Sequence, residues 1–218
     1  MLTGDQTSLV ACFVFAILPK CTMQALAARK ELHSQRLILR SPSEDHAVAA
    51  SLFFEENRAF LEPWSPPMSD EFRSEAGQRW RFRAAADAFE AGTALKWLMF
   101  ELTNEQSMIG YVHYSQINRG CYQGAMLGYA IGHRFEGQGL MTEALKSTLE
   151  EVFSERVRLH RVQANVIPTN SKSLAVLERL GFATEGHARN YLYIGGCWQD
   201  HTMFGMLNPN YHDGWLGL

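Results

Sequence analysis

Apolar and polar positions fall into a regular pattern from Gln35 onward. Residues 35–40 (QRLILR) alternate as a half-buried strand does and predict the first strand of the fold. Ser43, followed by Glu44 and Asp45, reads as an N-cap with acids in the first turn of a helix that runs through Ala47, Ala50 and Phe54 to about Glu56. Residues 57–68 (NRAFLEPWSPPM) predict a loop, because Pro63, Pro66 and Pro67 exclude a continuous helix. A second helix is expected over about 70–91, ended by Gly92. Its Arg73, Arg79, Arg81 and Arg83 suit a solvated face, or alternatively a contact with a cofactor phosphate or a macromolecular substrate. Residues 96–102 and 108–117 predict a hairpin turning at Asn104 and Glu105, and 124–132 (GAMLGYAIG) adds an antiparallel strand.

The pattern then changes to alternating strands and helices. Residues 140–155 carry Met141, Leu145, Leu149, Val152 and Phe153 on one helical face, and 161–167 (RVQANVI) read as a strand. Asn170 caps a short helix with Leu174, Leu177 and Leu180 inward and Gly181 at its end. Two closing strands, 183–193 and 198–207, flank a Gly195-Gly196 turn.

A length of 218 residues suits one domain with a terminal appendage, and 46% hydrophobic with 20% charged residues allows a sizeable core. A net charge of -3 offers no general attraction to nucleic acid or an anionic membrane, so an anionic ligand has to be held locally. The apolar run 9–18 is too short to span a bilayer, and Asp5 ahead of it has the wrong sign for a signal peptide, although Ala25-Leu26-Ala27 resembles a cleavage string. Met23 is an alternative start, which would place residues 1–22 outside the native protein. Cys12, Cys21, Cys121 and Cys197 lack metal-site or disulfide-framework spacing and read as reduced thiols. The histidines show no ligand spacing either, so no metal is expected. A cytoplasmic protein is the expectation.

The candidate chemistry lies in Glu136-Gly137-Gln138-Gly139-Leu140-Met141, between a strand and a helix. The first turn of such a helix offers free N–H groups and a positive dipole end, and glycines let the backbone approach an anion closely. Taken alone the two glycines also fit a simple tight turn. A P-loop is excluded because no Lys-Ser/Thr follows the glycines, and the G-x-G-x-x-G string of a dinucleotide site is absent.

Taken together, R-L-I-L-R, E-N-R-A-F-L-E-P-W, L-G-Y-A-I-G, E-G-Q-G-L-M-T-E-A-L, Asn170 with Ser173, L-G-F at 180–182, Glu185-Gly186 and G-x-W-x-D-H ending at Asp200 and His201 resemble the GCN5-related N-acetyltransferases of the RimJ/RimL type. The resemblance spans about 36–209. It implies an α/β (α+β) GNAT fold: a mixed, mostly antiparallel seven-stranded sheet, splayed between its fourth and fifth strands and flanked by about four helices. The implied organisation is an appendage at 1–30, an acetyltransferase domain at 31–210 and a tail at 211–218. Acetyl-CoA is the implied donor, with amides from Glu136, Gly137, Gln138, Gly139, Leu140, Met141 and Thr142 on its pyrophosphate and Ile131 and His133 on pantetheine. Asn170 contacts the same arm on this reading, and Ser173 is the candidate donor to the departing thiolate. Both residues also fit plain helix capping. Glu136 and Met141 depart from the residues that the family prefers.

The family's carboxylate near 190–192 is replaced by Asn190, Tyr191 and Leu192, which leaves Glu185 and His113 as candidate bases. The implied substrate wall is Asn57, Arg58, Phe60, Leu61 and Trp64, with Tyr191 and Tyr193. The implied acceptor is the N-terminal alanine of a ribosomal protein, the fifth of the small subunit, acetylated by a monomer or homodimer that needs neither nucleic acid nor membrane. A small amine as acceptor, or a non-catalytic acyl-CoA-binding assembly factor, remains the alternative.

Overall fold

The computed structural model describes residues 28–216. The run 9–18, the Ala25-Leu26-Ala27 string, Cys12, Cys21 and the start at Met23 lie outside them. Eight strands form one sheet: β1 (Glu31–His33), β2 (Leu37–Arg40), β3 (Leu95–Glu101), β4 (Asn104–Asn118), β5 (Gly124–Ile131), β6 (Arg161–Val166), β7 (Ala183–Ile194) and β8 (Cys197–Leu207). Their spatial order is β1-β2-β3-β4-β5-β6-β8-β7. Every neighbouring pair is antiparallel except β5 and β6, which run parallel. One strand more is present than the sequence suggested, because β1 folds back on β2 through the Ser34 turn, too short a piece to show an alternation.

Helices cover both faces of β2 to β4. On one face α5 (Leu140–Phe153) and α6 (Ser171–Leu180) pack Leu145, Leu149, Val152 and Leu177 against Leu37, Leu39, Trp97, Met99, Val112 and Leu127. On the other, α1 (Ala47–Glu56) and α4 (Glu75–Glu90) pack Ala50, Phe53, Phe54 and Phe82 against Ile38, Leu98 and Phe100. Alternate residues of one strand face opposite layers, so a strand covered on both sides is apolar at nearly every position, as β3 (LKWLMFE) is.

Three further boundaries differ from the sequence reading. Residues 57–68 are not all loop: α2 (Arg58–Leu61) and a 3-10 turn (Glu62–Trp64) precede Ser65, because Pro63 falls in the first turn, where no N–H is missed. The helix expected over 70–91 is two, α3 (Asp70–Arg73) and α4. Ser74 breaks it with an extended backbone and caps α4 by accepting from the Gly77 N–H at 3.0 Å. Gly77 is required there, since a Cβ would lie 1.9 Å from the Glu71 carbonyl oxygen. The β3–β4 turn lies at 102–103 rather than at Asn104 and Glu105, for Glu101 pairs with Asn104.

Both chain ends of the described body are tied down. Ala28 is buried in the main core, and the Arg29 N–H and guanidinium both reach the buried Glu151 carboxylate at 2.8 Å. Arg156 adds two further hydrogen bonds to that carboxylate at 3.0 and 2.8 Å. Burial alone would raise the Glu151 carboxyl; the hydrogen bonds from Arg156 and Arg29 outweigh it and hold the group below the usual carboxylate range. At the other end Tyr211 packs edge-on against His160 and Trp215.

Candidate active site

The sheet splits between its parallel strands. β5 and β6 pair only over Gly124–Leu127 and Arg161–Ala164. Beyond that, Gly128 to Ile131 keep their bonds to β4, while Asn165 and Val166 keep theirs to β8. The Gly132 N–H donates to the Ile109 carbonyl at 2.8 Å, on the β4 side. Backbone groups alternate along a strand, so Tyr129 and Ile131 turn their N–H and C=O groups the other way, into the split. The next amide on that side, His133, was expected on pantetheine with Ile131; here it donates to Asn57 Oδ1 at 2.9 Å.

At the mouth of the split Gly137 and Gly139 take left-handed conformations, φ +71° and +78°, and α5 starts at Leu140. The first bond into the helix runs from the Glu143 N–H to the Gly139 carbonyl at 3.0 Å, which leaves the amides of Leu140, Met141 and Thr142 without intrahelical acceptors at the positive end of the helix. All three side chains are buried, so this turn presents backbone alone to the outside, and the large Met141 side chain does not obstruct it. The outer side of the loop is braced by Arg36, which donates to the Gln138 carbonyl at 3.0 Å and pairs with Glu143 at 2.7 Å, and by Gln138, which donates to the Arg134 carbonyl at 2.8 Å. A Cβ at Gly137 would meet nothing within 4 Å, and one at Gly139 only the Arg36 guanidinium at 3.6 Å. The cradle therefore suits a diphosphate. The Glu136 side chain turns away to Lys172 at 2.5 Å, joining the loop to α6.

On the far side of the split Asn170 caps α6 by accepting from the Ser173 N–H at 3.1 Å. The Ser173 hydroxyl is 2.7 Å from the Tyr129 hydroxyl. No tyrosine lies on α6, but β5 supplies one. Burial pushes the Tyr129 phenol up to about 12, against the lowering effect of its bond to Ser173, so it stays protonated. Sequence reasoning missed it; its two-residue offset from Ile131, which puts both side chains on one sheet face, was the available signal.

The opposite face of the split is floored by Gly128, whose missing Cβ would meet nothing within 4 Å. Lys96, His113 and Gly128 stand in register across β3, β4 and β5. Burial first, then the Lys96 charge, lower His113 to about 4, and burial with Arg81 lowers Lys96 to about 8. His113 is thus neutral at pH 7. Among the expected wall residues, Phe60 packs on the His133 ring at 4.9 Å, Arg58, Trp64, Tyr191 and Tyr193 are exposed, and Tyr191 packs edge-on against His201 at 5.6 Å. The Gly195 N–H donates to the Ser65 carbonyl at 3.1 Å, tying the β7–β8 turn to the proline segment.

Several expected residues are not brought to this place. Leu61 is buried in the core under α1, because its one-turn helix faces it inward. Glu185 pairs with Arg161 at 2.5 Å, and Arg161 is opposite Gly124, where the strands are still joined; its carboxylate is held away from the split. Asp200 accepts from the Asn190 N–H at 2.8 Å and so fixes the positive φ of Asn190, a structural task. The α4 arginines are also engaged structurally: Arg73 is buried against Met68, Asp70 and Glu55, Arg79 pairs with Glu75, Arg83 with Glu44, and Arg81 lies over Phe72.

A mixed sheet split between two parallel strands, with a backbone cradle for a diphosphate at its mouth, defines an acyl-CoA-dependent acyltransferase. The acetyltransferase (GNAT) domain model matches residues 36–183. The chain is 33% identical over 184 residues to the [ribosomal protein uS5]-alanine N-acetyltransferase of Escherichia coli (strain K12), covering 84% of this chain and 93% of that one. The ribosomal-protein-S5-alanine acetyltransferase structure from Vibrio fischeri superposes with a TM-score of 0.79 at 31% identity, covering 84% and 98% of the two chains. Mycobacterium smegmatis RimJ in complex with CoA-disulfide gives 0.78 at 25% identity, covering 85% and 90%. The chain belongs to the GNAT acetyltransferase family and is an acetyl-CoA-dependent N-acetyltransferase. No helix among the described residues is long and apolar enough to cross a membrane.

Proposed function

We propose that the protein acetylates the N-terminal α-amine of a ribosomal protein, with the N-terminal alanine of the fifth small-subunit protein as the preferred acceptor, in the cytoplasm. The observation that carries this reading is the acceptor floor: a glycine beside a neutral histidine, with a lysine on the strand beyond the histidine. An α-amine has a pKa of about 7.7 to 8.0, so it is partly neutral at pH 7 and needs no strong base, whereas a lysine amine near 10.4 does. A polyamine is disfavoured for a second reason, since its remaining cations would face Lys96 rather than carboxylates.

Acetyl-CoA supplies the acetyl group as an activated thioester. The amides of 137–142 hold its diphosphate, and the split-facing groups of Tyr129 and Ile131 align the arm and its carbonyl oxygen. The amine nitrogen attacks that carbonyl carbon from the Gly128 side, the C–S bond breaks, and the Ser173 hydroxyl, positioned by its hydrogen bond to Tyr129, passes its proton to the leaving sulfur and takes one back from water. The amine's surplus proton leaves to water, since His113, lowered to about 4, is too weak a base to hold it.

Short peptides that share one internal sequence and start with Ala, Ser or Leu, beside an N-terminally blocked peptide with an internal Lys, test the reading by kcat/KM. Alanine should lead and the blocked Lys peptide should trail by a few hundredfold, on the order of the difference in neutral amine. Equal rates on the blocked peptide, or faster turnover of a free polyamine, would refute it.

A further inference from the structure

At the joined end of β5 and β6 lies a cavity of about 330 Å³, lined by Gln116, Asn118, Tyr122, Met126 and Gln163. Met126 is two residues from Gly128 on the same strand, so the cavity and the acceptor floor share one face of the sheet. Four of the five lining side chains are polar and none is charged. Tyr122 and Gln163 are hydrogen-bonded to each other, and Arg161, at the same strand end, is paired with Glu185.

Between cavity and floor stands Asn165, the first β6 residue past the last β5 pair. Its Nδ2 lies 3.3 Å from the Met126 sulfur and 3.4 Å from the Tyr191 hydroxyl, and its Oδ1 is buried with no hydrogen-bond partner. That carboxamide can therefore accept one N–H from a bound chain. The opposite end of the floor is bridged by the contact between Gly195 and Ser65. An acceptor whose amine sits over Gly128 therefore has its open course toward Met126 and the cavity.

We propose that this strip is a second acceptor subsite, which holds the peptide backbone of the residues after the first. It rests on the N-terminal acetylation reading and extends it. Carboxamides offer both donors and acceptors without charge, which matches the N–H and C=O groups of an extended chain and not any particular side chain. The four residue steps along β5 from Gly128 back to Gly124 span about 13 Å, room for roughly four acceptor residues at about 3.3 Å each. Recognition is thus sensitive to acceptor length and tolerant of sequence at the second to fourth positions.

The test uses the full chain with alaninamide and amides of Ala followed by one to five glycines. The kcat/KM should rise about fivefold for each hydrogen bond gained and level off near four residues. N-methylation of the second residue's amide should cost about fivefold, the loss of one such bond. Asn165→Leu and Gln163→Leu should each lower the ratio of long peptide to alaninamide by at least about fivefold. Gln116→Ala, at an exposed position, repeats the test should either of those variants fail to fold by circular dichroism. Equal kcat/KM for alaninamide and the longest peptide in the unaltered protein, or an unchanged ratio in folded variants, would overturn the subsite alone. CoA binding without acetylation of any of these amines would overturn the N-terminal reading beneath it.

Discussion

The hydroxyl pair Tyr129–Ser173 yields a prediction whose size can be worked out in advance. A thiol with a pKa near 8.5 is already a fair leaving group, so an acid that protonates it at pH 7 gains about 1.5 pK units, or about 2 kcal/mol. Ser173→Ala should therefore lower kcat by about thirtyfold, well short of the largest effects of general acids, with little change in the acetyl-CoA KM. Tyr129→Phe removes one neutral hydrogen bond, the 2.7 Å contact to the Ser173 hydroxyl, worth about 1 kcal/mol and about fivefold in kcat. Because the phenol acts only through the serine, the double variant should match Ser173→Ala and not the product of the two losses. The Ser173→Ala deficit should also shrink above about pH 8.5, where the thiolate no longer needs a proton. Stopped-flow or steady-state release of free CoA at pH 6.5 to 9.5 measures all of this. Multiplicative losses, or a deficit that is constant with pH or lies wholly in KM, would refute the relay and leave Ser173 as a helix residue.

Gly139→Val should weaken CoA binding at least about tenfold by calorimetry, because φ +78° disfavours a branched side chain by about 1–2 kcal/mol and its methyls would cover the free amides; unchanged affinity would remove the diphosphate cradle from this loop. Glu151→Ala should destabilise the fold by about 1–3 kcal/mol in urea, since it removes the buried acceptor of the Arg29 amide and of the half-exposed Arg29 and Arg156 guanidinium groups; a loss below about 0.5 kcal/mol would show that the N-terminal strap is not anchored there. His113 lowered from 6.5 to about 4 binds fewer protons folded than unfolded, so its contribution is present above pH 6.5 and is lost as pH falls toward 4, by at most about 3 kcal/mol. His113→Gln should flatten the acid limb of the stability curve, and an identical limb in the variant would contradict the burial argument.

Local chemistry alone determined a good deal of this protein. The alternation of RVQANVI, the Asn170 cap, the Gly181 stop and the Gly195-Gly196 turn each depend on neighbours within a few residues, and each appears where the pattern puts it; QRLILR also yields its strand, but over Leu37–Arg40 and buried on both faces rather than one. The start of α5 directly after Gly139 belongs to the same class. What needed the tertiary structure were relations between residues distant in sequence. β1 exists only because β2 is there to pair with it. Tyr129 meets Ser173 across 44 positions, and Glu185 is removed from the candidate bases by Arg161, 24 positions away. His113 looks like any polar residue on a half-buried strand until the register sets Lys96 on one side of it and Gly128 on the other. A side chain's protonation and its partner depend on what folding packs against it, and that information is carried by no short stretch of the chain.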